Sequence, residues 1–376
     1  MIIRAKAAAS AISKTRRPAV APNSARARPL SPQREPAQTL STRLPAPPAA
    51  EAIAAAPAVR RVIIDEGSAG QRLDNFLLRE LKGVPKTHVY RVIRAGEVRV
   101  NKGRAQADTR LQLGDEVRVP PVRLPERVTA PQEHVPAREF PVVYEDDHLI
   151  AINKPAGVAV HGGSGVSFGV IEQMRRARPL AKFLELVHRL DKETSGLLLI
   201  AKKRSALVAL QEQFRERETG KTYTALVSGA WAENQKVIDL PLLKFIGSDG
   251  ERWVRVIEHA DDPSFDQAKR SISLVKVVKR LTAYSLLDVT IKTGRTHQIR
   301  VHLAHAGHAI VGDPKYGDFE ANRALARGTA LPGVRFDRMF LHAKRLRFVH
   351  PATALEIELL APLPPECEQL LSLLKP

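Results

Sequence analysis

The chain has 376 residues, with 59 Lys and Arg against 40 Asp and Glu, for a formal net charge of +19. With 44% hydrophobic residues it can build a core, which excludes wholesale disorder, and its length fits two or three domains. One cysteine, Cys367, excludes a disulfide framework or cysteine-rich zinc module, and no apolar run nears the ~18 residues of a membrane span, so a soluble intracellular protein is expected.

Residues 1–60 hold nine of the 27 prolines, no aromatic residue and a net charge of +8. Such a segment buries too little apolar surface to offset its ordering entropy and is expected to be a disordered basic tail. Its Arg-rich, acid-poor composition also fits an organellar transit peptide, as a minor alternative to a bacterial tail. The other residues keep a net +11, which points to a polyanionic partner rather than a membrane, since no long basic amphipathic helix accompanies it.

From Val62 the texture changes. Leu73, Phe76, Leu77 and Leu81 share one helical face ahead of the breaker Gly83-Val84-Pro85. A second helix is expected from Thr87 as N-cap, with Val89, Val92 and Ile93 inward and Arg91 and Arg94 outward. Gly96 ends it, and Val98 and Val100 alternate as a short strand. Lys86, Arg91, Arg94, Arg99, Lys102 and Arg104 make this segment a small basic module. Proline-rich residues 121–138 read as a linker.

Beyond the linker, Val142-Val143-Tyr144 and Leu149-Ile150-Ala151-Ile152 flank a Glu-Asp-Asp-His turn, the pattern of a hairpin. Further strands are expected at 197–201, 223–227, 285–291 and 346–349, with helices near 167–176 and 204–216. The class is α+β with a largely antiparallel mixed sheet. A glycine-framed serine, Gly165-Val-Ser167-Phe-Gly169, fits a nucleophile elbow, but glycines rather than a strand lead into it. His297, His302, His305 and His308 crowd one stretch, yet their spacing suits no zinc set, and Arg295 and Arg300 oppose a cation.

Two dense polar strings stand out: Leu186-Val-His188-Arg189-Leu190-Asp191-Lys-Glu-Thr-Ser-Gly, which leads into an apolar strand, and Thr293-Gly-Arg295-Thr-His297-Gln298-Ile-Arg300-Val-His302. By composition the first is an ordinary polar turn; the Arg and His residues of the second are what a phosphate-binding rim uses. With Asn153-Lys154-Pro155-x-Gly157, Lys221-x-Tyr223, Gly312-Asp313-x-x-Tyr316-Gly317 and Phe340-Leu-His342-Ala, they resemble the RNA pseudouridine synthases of the ribosomal large-subunit type. Arg72-Leu-Asp-x-Phe-Leu and the strings from Lys86 to Asn101 resemble the small RNA-binding domain named after the S-four ribosomal protein.

The resemblance implies an S-four-like domain at 61–120 and a catalytic domain of the pseudouridine-synthase fold at 139–376. It also implies isomerisation of uridines in large-subunit (23S) ribosomal RNA or its assembly intermediate, by a cytoplasmic, monomeric enzyme needing neither metal nor organic cofactor, because the reaction involves no redox change. Asp191 would be the catalytic carboxylate, either adding covalently or taking a sugar proton. Arg295 would keep it charged, Tyr223 would stack on the uracil, and Arg189 would fill the space left by the flipped nucleotide. His188, Lys202, His297, Gln298, Arg300 and His302 are expected as substrate contacts or supports, and the six cations of the basic module as RNA contacts. The same chemistry on another RNA, and a non-catalytic RNA binder, are the competing readings.

Overall fold

The computed structural model describes residues 59–375 except 82, 123–134, 163–167, 249, 260 and 332. The basic tail, most of the linker and most of the Gly165–Gly169 pattern lie outside the described residues.

The first layer is a small module. β1 (Arg60–Ile63), β2 (Arg99–Val100), β3 (Gly103–Arg104) and β4 (Glu116–Val119) form an antiparallel sheet in the order β1-β4-β2-β3, with α1 (Leu73–Glu80) and α2 (Lys86–Arg94) before the β2–β3 hairpin. Leu73, Phe76 and Leu77 of α1 pack on Val89, Val92 and Ile93 of α2 and on Val117 and Val119. The helical spacing thus builds the core, and the six cations remain exposed on its surface. The second helix starts two residues earlier than expected. Pro85, not Thr87, is its N-cap: proline's fixed φ, here −57°, suits that place, and its carbonyl accepts from His88 and Val89.

Ten of the twelve remaining strands among the described residues build one sheet. In chain order come β5 (Val142–Glu145), β6 (Leu149–Lys154), α3 (Val170–Ala177), β7 (Glu185–Leu186), β8 (Ser195–Ala201), α4 (Arg204–Glu216) and β9 (Gly220–Ser228). Then follow β10 (Val237–Asp239), β11 (Leu242–Ile246), β12 (Arg252–Val256), β13 (Ile272–Arg280), β14 (Tyr284–Ile291), α5 (Gln298–His305), α6 (Phe319–Arg327), β15 (Leu341–Val349), β16 (Glu356–Leu360) and α7 (Pro365–Leu373). The strand order is β10-β13-β14-β9-β15-β8-β6-β5, with β16 on β15 and β7 on β8. β8 and β15 run parallel and the other pairs antiparallel, while β11 and β12 form a separate hairpin.

Period-two alternation sorts the apolar residues of β6 and β8 between two cores. Leu149, Ala151, Leu197 and Leu199 face Leu207 and Leu210 of α4; Ile150, Ile152, Leu198 and Ile200 face Val170, Ile171 and Met174 of α3. Because both faces are covered, β8 is buried along its whole length, which explains its unbroken apolar run. The helix expected near 167 begins at Val170. The Glu172 carboxylate accepts from the Gly169 and Gly162 N–H groups and so anchors that start.

A cavity around Asp191

The loop before β8 carries Asp191. Buried Leu190 and Thr194 hold it on either side, and the Thr194 N–H donates to the Asp191 carbonyl at 3.2 Å. Beneath it, Lys154 at the end of β6 is fully buried. Its ammonium donates to the carbonyls of Pro155, Val158 and Lys192 at 2.8–3.0 Å, tying the 154–158 turn to the residue after Asp191. Burial pushes Lys154 down to about 7, but three donated hydrogen bonds require three N–H groups, which only the ammonium form has. The group in this geometry is therefore charged.

Opposite stands the second polar string, a turn followed by α5. Gln298 locks the turn: its carbonyl oxygen accepts from Thr293 Oγ1 and the Arg295 N–H, and its amide donates to the Ile272 carbonyl and Ser273 Oγ. His297 adopts φ +54°, a left-handed conformation costly for a residue with a Cβ, which the surrounding turn must enforce. One helical turn later Arg300 points back at the cavity. Its Nε and Nη2 donate to the two oxygens of buried Asp313 at 2.8 and 2.7 Å, and Nη1 reaches Asp191 Oδ2 at 3.5 Å. Desolvation works against both charges of the Arg300–Asp313 pair, yet the fork-to-fork contact holds Arg300 above and Asp313 below their ordinary values.

Arg189, Asp191, Tyr223, Arg295, His297 and Arg300 line one cavity of about 520 Å³, together with Lys244, Phe245, Arg252 and Trp253 of the β11–β12 hairpin. Tyr223 comes from β9, opposite Val289 of β14. Burial raises its phenol well above the ordinary tyrosine range, and the Asp191 charge adds to this, so it is protonated at neutral pH. His297 Nε2 lies 3.9 Å from Asp191 Oδ2.

Two expected placements, of Arg295 and Lys202, are corrected, and two residues expected as contacts or supports, His302 and His188, stand as supports away from the cavity. The guanidinium beside Asp191 belongs to Arg300, not Arg295; Arg295 lines the cavity but turns its Nε to the Arg270 carbonyl at 3.5 Å. Both arginines occur in the same string, and only the start of the helix at Gln298 decides which one faces inward. Lys202 lies at the opposite end of β8, about 3.3 Å per residue away from the Asp191 loop, and its Nζ binds Glu145 and the Asp146 carbonyl. His302 is on the core side of α5, bonded to Ser273 and the Leu240 carbonyl. His188 faces away from the cavity: it stacks on Phe214, and its Nε2 accepts the Leu199 N–H. Burial pushes it down to about 4, so it braces the loop as a neutral ring.

Sequence alone assigned no role to Asp313, Tyr316, Lys154 or the hairpin, although these three residues sit in strings that carry the family resemblance. For the hairpin, the Arg252-Trp-Val-Arg-Val256 alternation after the glycine-framed stretch 247–250 was the available signal.

A family model described as RNA pseudouridylate synthase matches residues 148–305, and one described as S4 domain matches 71–117. Ribosomal large subunit pseudouridine synthase C of Escherichia coli (strain K12) is 50% identical over 311 residues, covering 82% of this chain and 94% of that protein. Its namesake in Pasteurella multocida (strain Pm70) is 49% identical over 322 residues, covering 85% and 94%. Among solved structures, human RNA pseudouridylate synthase domain containing 1 is 25% identical with a TM-score of 0.50, covering 63% of this chain and 89% of that one. Fold, cavity and matches together define an isomerase of RNA uridines. The chain belongs to the RNA pseudouridylate synthase family, with an S4 domain ahead of the synthase fold.

Proposed function

We propose that the chain converts specific uridines of large-subunit ribosomal RNA to pseudouridine, with Asp191 as the catalytic carboxylate. The observation that carries this reading is a carboxylate at the wall of a cavity of about 520 Å³, beside Arg300, with a tyrosine ring and guanidinium groups around it. The 50% identity to an enzyme named for the large ribosomal subunit supports the substrate class.

The reaction detaches the base from C1′, turns it, and rejoins it through C5. The target atoms are unreachable inside a stack, so the nucleotide must flip out into the cavity. Arg189, exposed at the rim, is suited to stack in the vacated space. Asp191 must be ionised whether it adds to the sugar or takes a proton from it, and Arg300 supplies the opposing charge. Tyr223 offers a ring for stacking, and its protonated phenol can pass on the C5 proton but is a poor phenolate base. Residues 61–120 would supply backbone affinity through the six exposed cations, and residues 139–376 uridine selection and chemistry. A cytoplasmic monomer without cofactor fits this division of labour.

The test is tritium release from a large-subunit rRNA transcript carrying 5-³H-uridine. Wild type should release tritium, while Asp191→Ala should lose turnover and keep RNA affinity within a few-fold, because only the reacting group is removed. Turnover by Asp191→Ala would sink the site assignment. Activity on tRNA but not on rRNA would move the substrate class, and binding without turnover on either RNA would favour a non-catalytic binder.

A further inference from the structure

The Gly312-Asp313-x-x-Tyr316-Gly317 segment places a phenol where three elements meet. Asp313 Oδ1 accepts from the Lys315 and Tyr316 N–H groups while the carboxylate holds Arg300, so the turn that fixes Arg300 also fixes Tyr316. Gly312 and Gly317 permit that turn: a Cβ would stand 1.9 Å from the Arg338 carbonyl oxygen in the first case and 2.4 Å from that of Asp313 in the second. The Arg300 guanidinium lies over the Tyr316 ring at 5.1 Å, and Trp253 meets the ring edge-on at 5.7 Å. Lys315 in turn covers Trp253 at 4.3 Å.

Among the described residues the Tyr316 hydroxyl has two hydrogen-bond partners. It accepts the Val254 N–H of β12 at 3.1 Å, and it lies 2.8 Å from His297 Nδ1. A backbone N–H can only donate, so the phenol's own proton is left for His297. With Nδ1 unprotonated the phenol donates to it; with Nδ1 protonated the ring would donate instead, and the phenol proton would have no acceptor among the described residues. The groups facing His297 are Asp191, Asp313, Arg300, Lys315 and Tyr316. Burial lowers the histidine, Arg300 and Lys315 lower it further, and Asp191 and Asp313 oppose them, with a net displacement below the ordinary value. A neutral ring whose Nδ1 accepts must carry its hydrogen on Nε2, the atom 3.9 Å from Asp191 Oδ2. That gap is too long for a direct hydrogen bond, so the N–H is available to an atom entering beside the carboxylate.

We propose that Tyr316 is a positioning residue of the reaction: its hydroxyl holds His297 in the Nε2–H tautomer beside Asp191 and ties that state to the β11–β12 hairpin through Val254. The proposal rests on Asp191 as the reacting carboxylate. The hairpin lines the same cavity, so displacing it would strip the phenol of its Val254 donor and loosen the tautomer. Tyr316 would thus couple the placement of the hairpin to the donor pattern at the carboxylate.

The experiment uses the full chain labelled with ¹⁵N-histidine. Long-range ¹H–¹⁵N spectra distinguish the tautomers, and the His297 signals are those lost in His297→Leu. The expected wild-type result at pH 7.5 is a single Nε2–H form; an Nδ1–H form or an imidazolium overturns the proposal without any variant. Tyr316→Phe should give mixed tautomers and lower kcat for tritium release about tenfold, with KM within twofold. In the His297→Leu background the same change should cost less than twofold, since both act through one bond. An unchanged tautomer in Tyr316→Phe, or fully additive losses, overturns the proposal. Wild type inert on RNA would remove the Asp191 reading, and the spectra would still decide the tautomer.

Discussion

At the scale of single residues, the cavity is organised by one guanidinium. Arg300 is 4% exposed and serves two carboxylates at once. Arg300→Lys keeps the charge but not the planar fork, so it should lower kcat about a hundredfold. It should also cost about 3 kcal/mol of stability, because buried Asp313 loses a hydrogen-bonded partner. Arg295→Ala leaves that pair intact and should raise KM while holding kcat within threefold. Tritium release at saturating RNA and thermal unfolding would separate the two variants. Equal kcat losses would return Arg295 to the role expected from its motif.

At the scale of elements, the site depends on how closely β8 and β15 pass. Gly196, next to the start of β8, has φ +111°, and a Cβ there would stand 2.4 Å from the Ala343 carbonyl oxygen. Gly196→Ala should therefore destabilise by more than about 3 kcal/mol through backbone strain and steric overlap, and should displace the Asp191 loop. A Cβ added at Gly294 would meet nothing within 4 Å, so Gly294→Ala should change stability by less than about 1 kcal/mol. Denaturant titration of both variants would show whether the tight crossing governs the loop. The strands themselves were legible because apolar alternation and the 195–201 run follow directly from burial on one or two faces. The β11–β12 hairpin was less legible because β11, with Phe245 and Ile246 exposed side by side, does not alternate as a half-buried strand does.

At the scale of the whole molecule, buried neutral imidazoles set an acid limit. His188 and His342 are pushed down to about 4 by burial, against an ordinary value of 6.5. Between those values the unfolded chain binds more protons than the folded one. The stability they confer is therefore complete above pH 6.5 and is lost as pH falls towards 4, at up to about 1.4 kcal/mol per unit for each ring. Melting temperature followed from pH 7.5 to 4.5 should fall through that window, and His342→Gln should flatten the slope. The charge distribution adds a second expectation. Arg91→Glu or Arg94→Glu should reduce the log–log salt slope of RNA binding by about 0.9 or more while sparing kcat, as measured by filter binding at several salt concentrations.

The chain by itself determined what local rules can encode: the two helices and core of the small module, the β5–β6 hairpin, the buried β8 strand, the helix at 204–216, and the strings that surround the cavity. These rest on periodicity, turn chemistry and residue order, all of which act over a few neighbours. Tertiary structure alone decided which member of each string faces the cavity. Arg295 and Arg300 are equivalent on paper, as are His297 and His302; the phase of α5 sends Arg300 to Asp191 and His302 into the core. Lys202 and His188 flank Asp191 in sequence, but the rise of a strand and the stacking of a ring on Phe214 carry them away. Asp313 and Tyr316 come from far along the chain, and only packing brings them to Arg300 and His297, because long-range contacts are fixed by the sheet and not by any short segment.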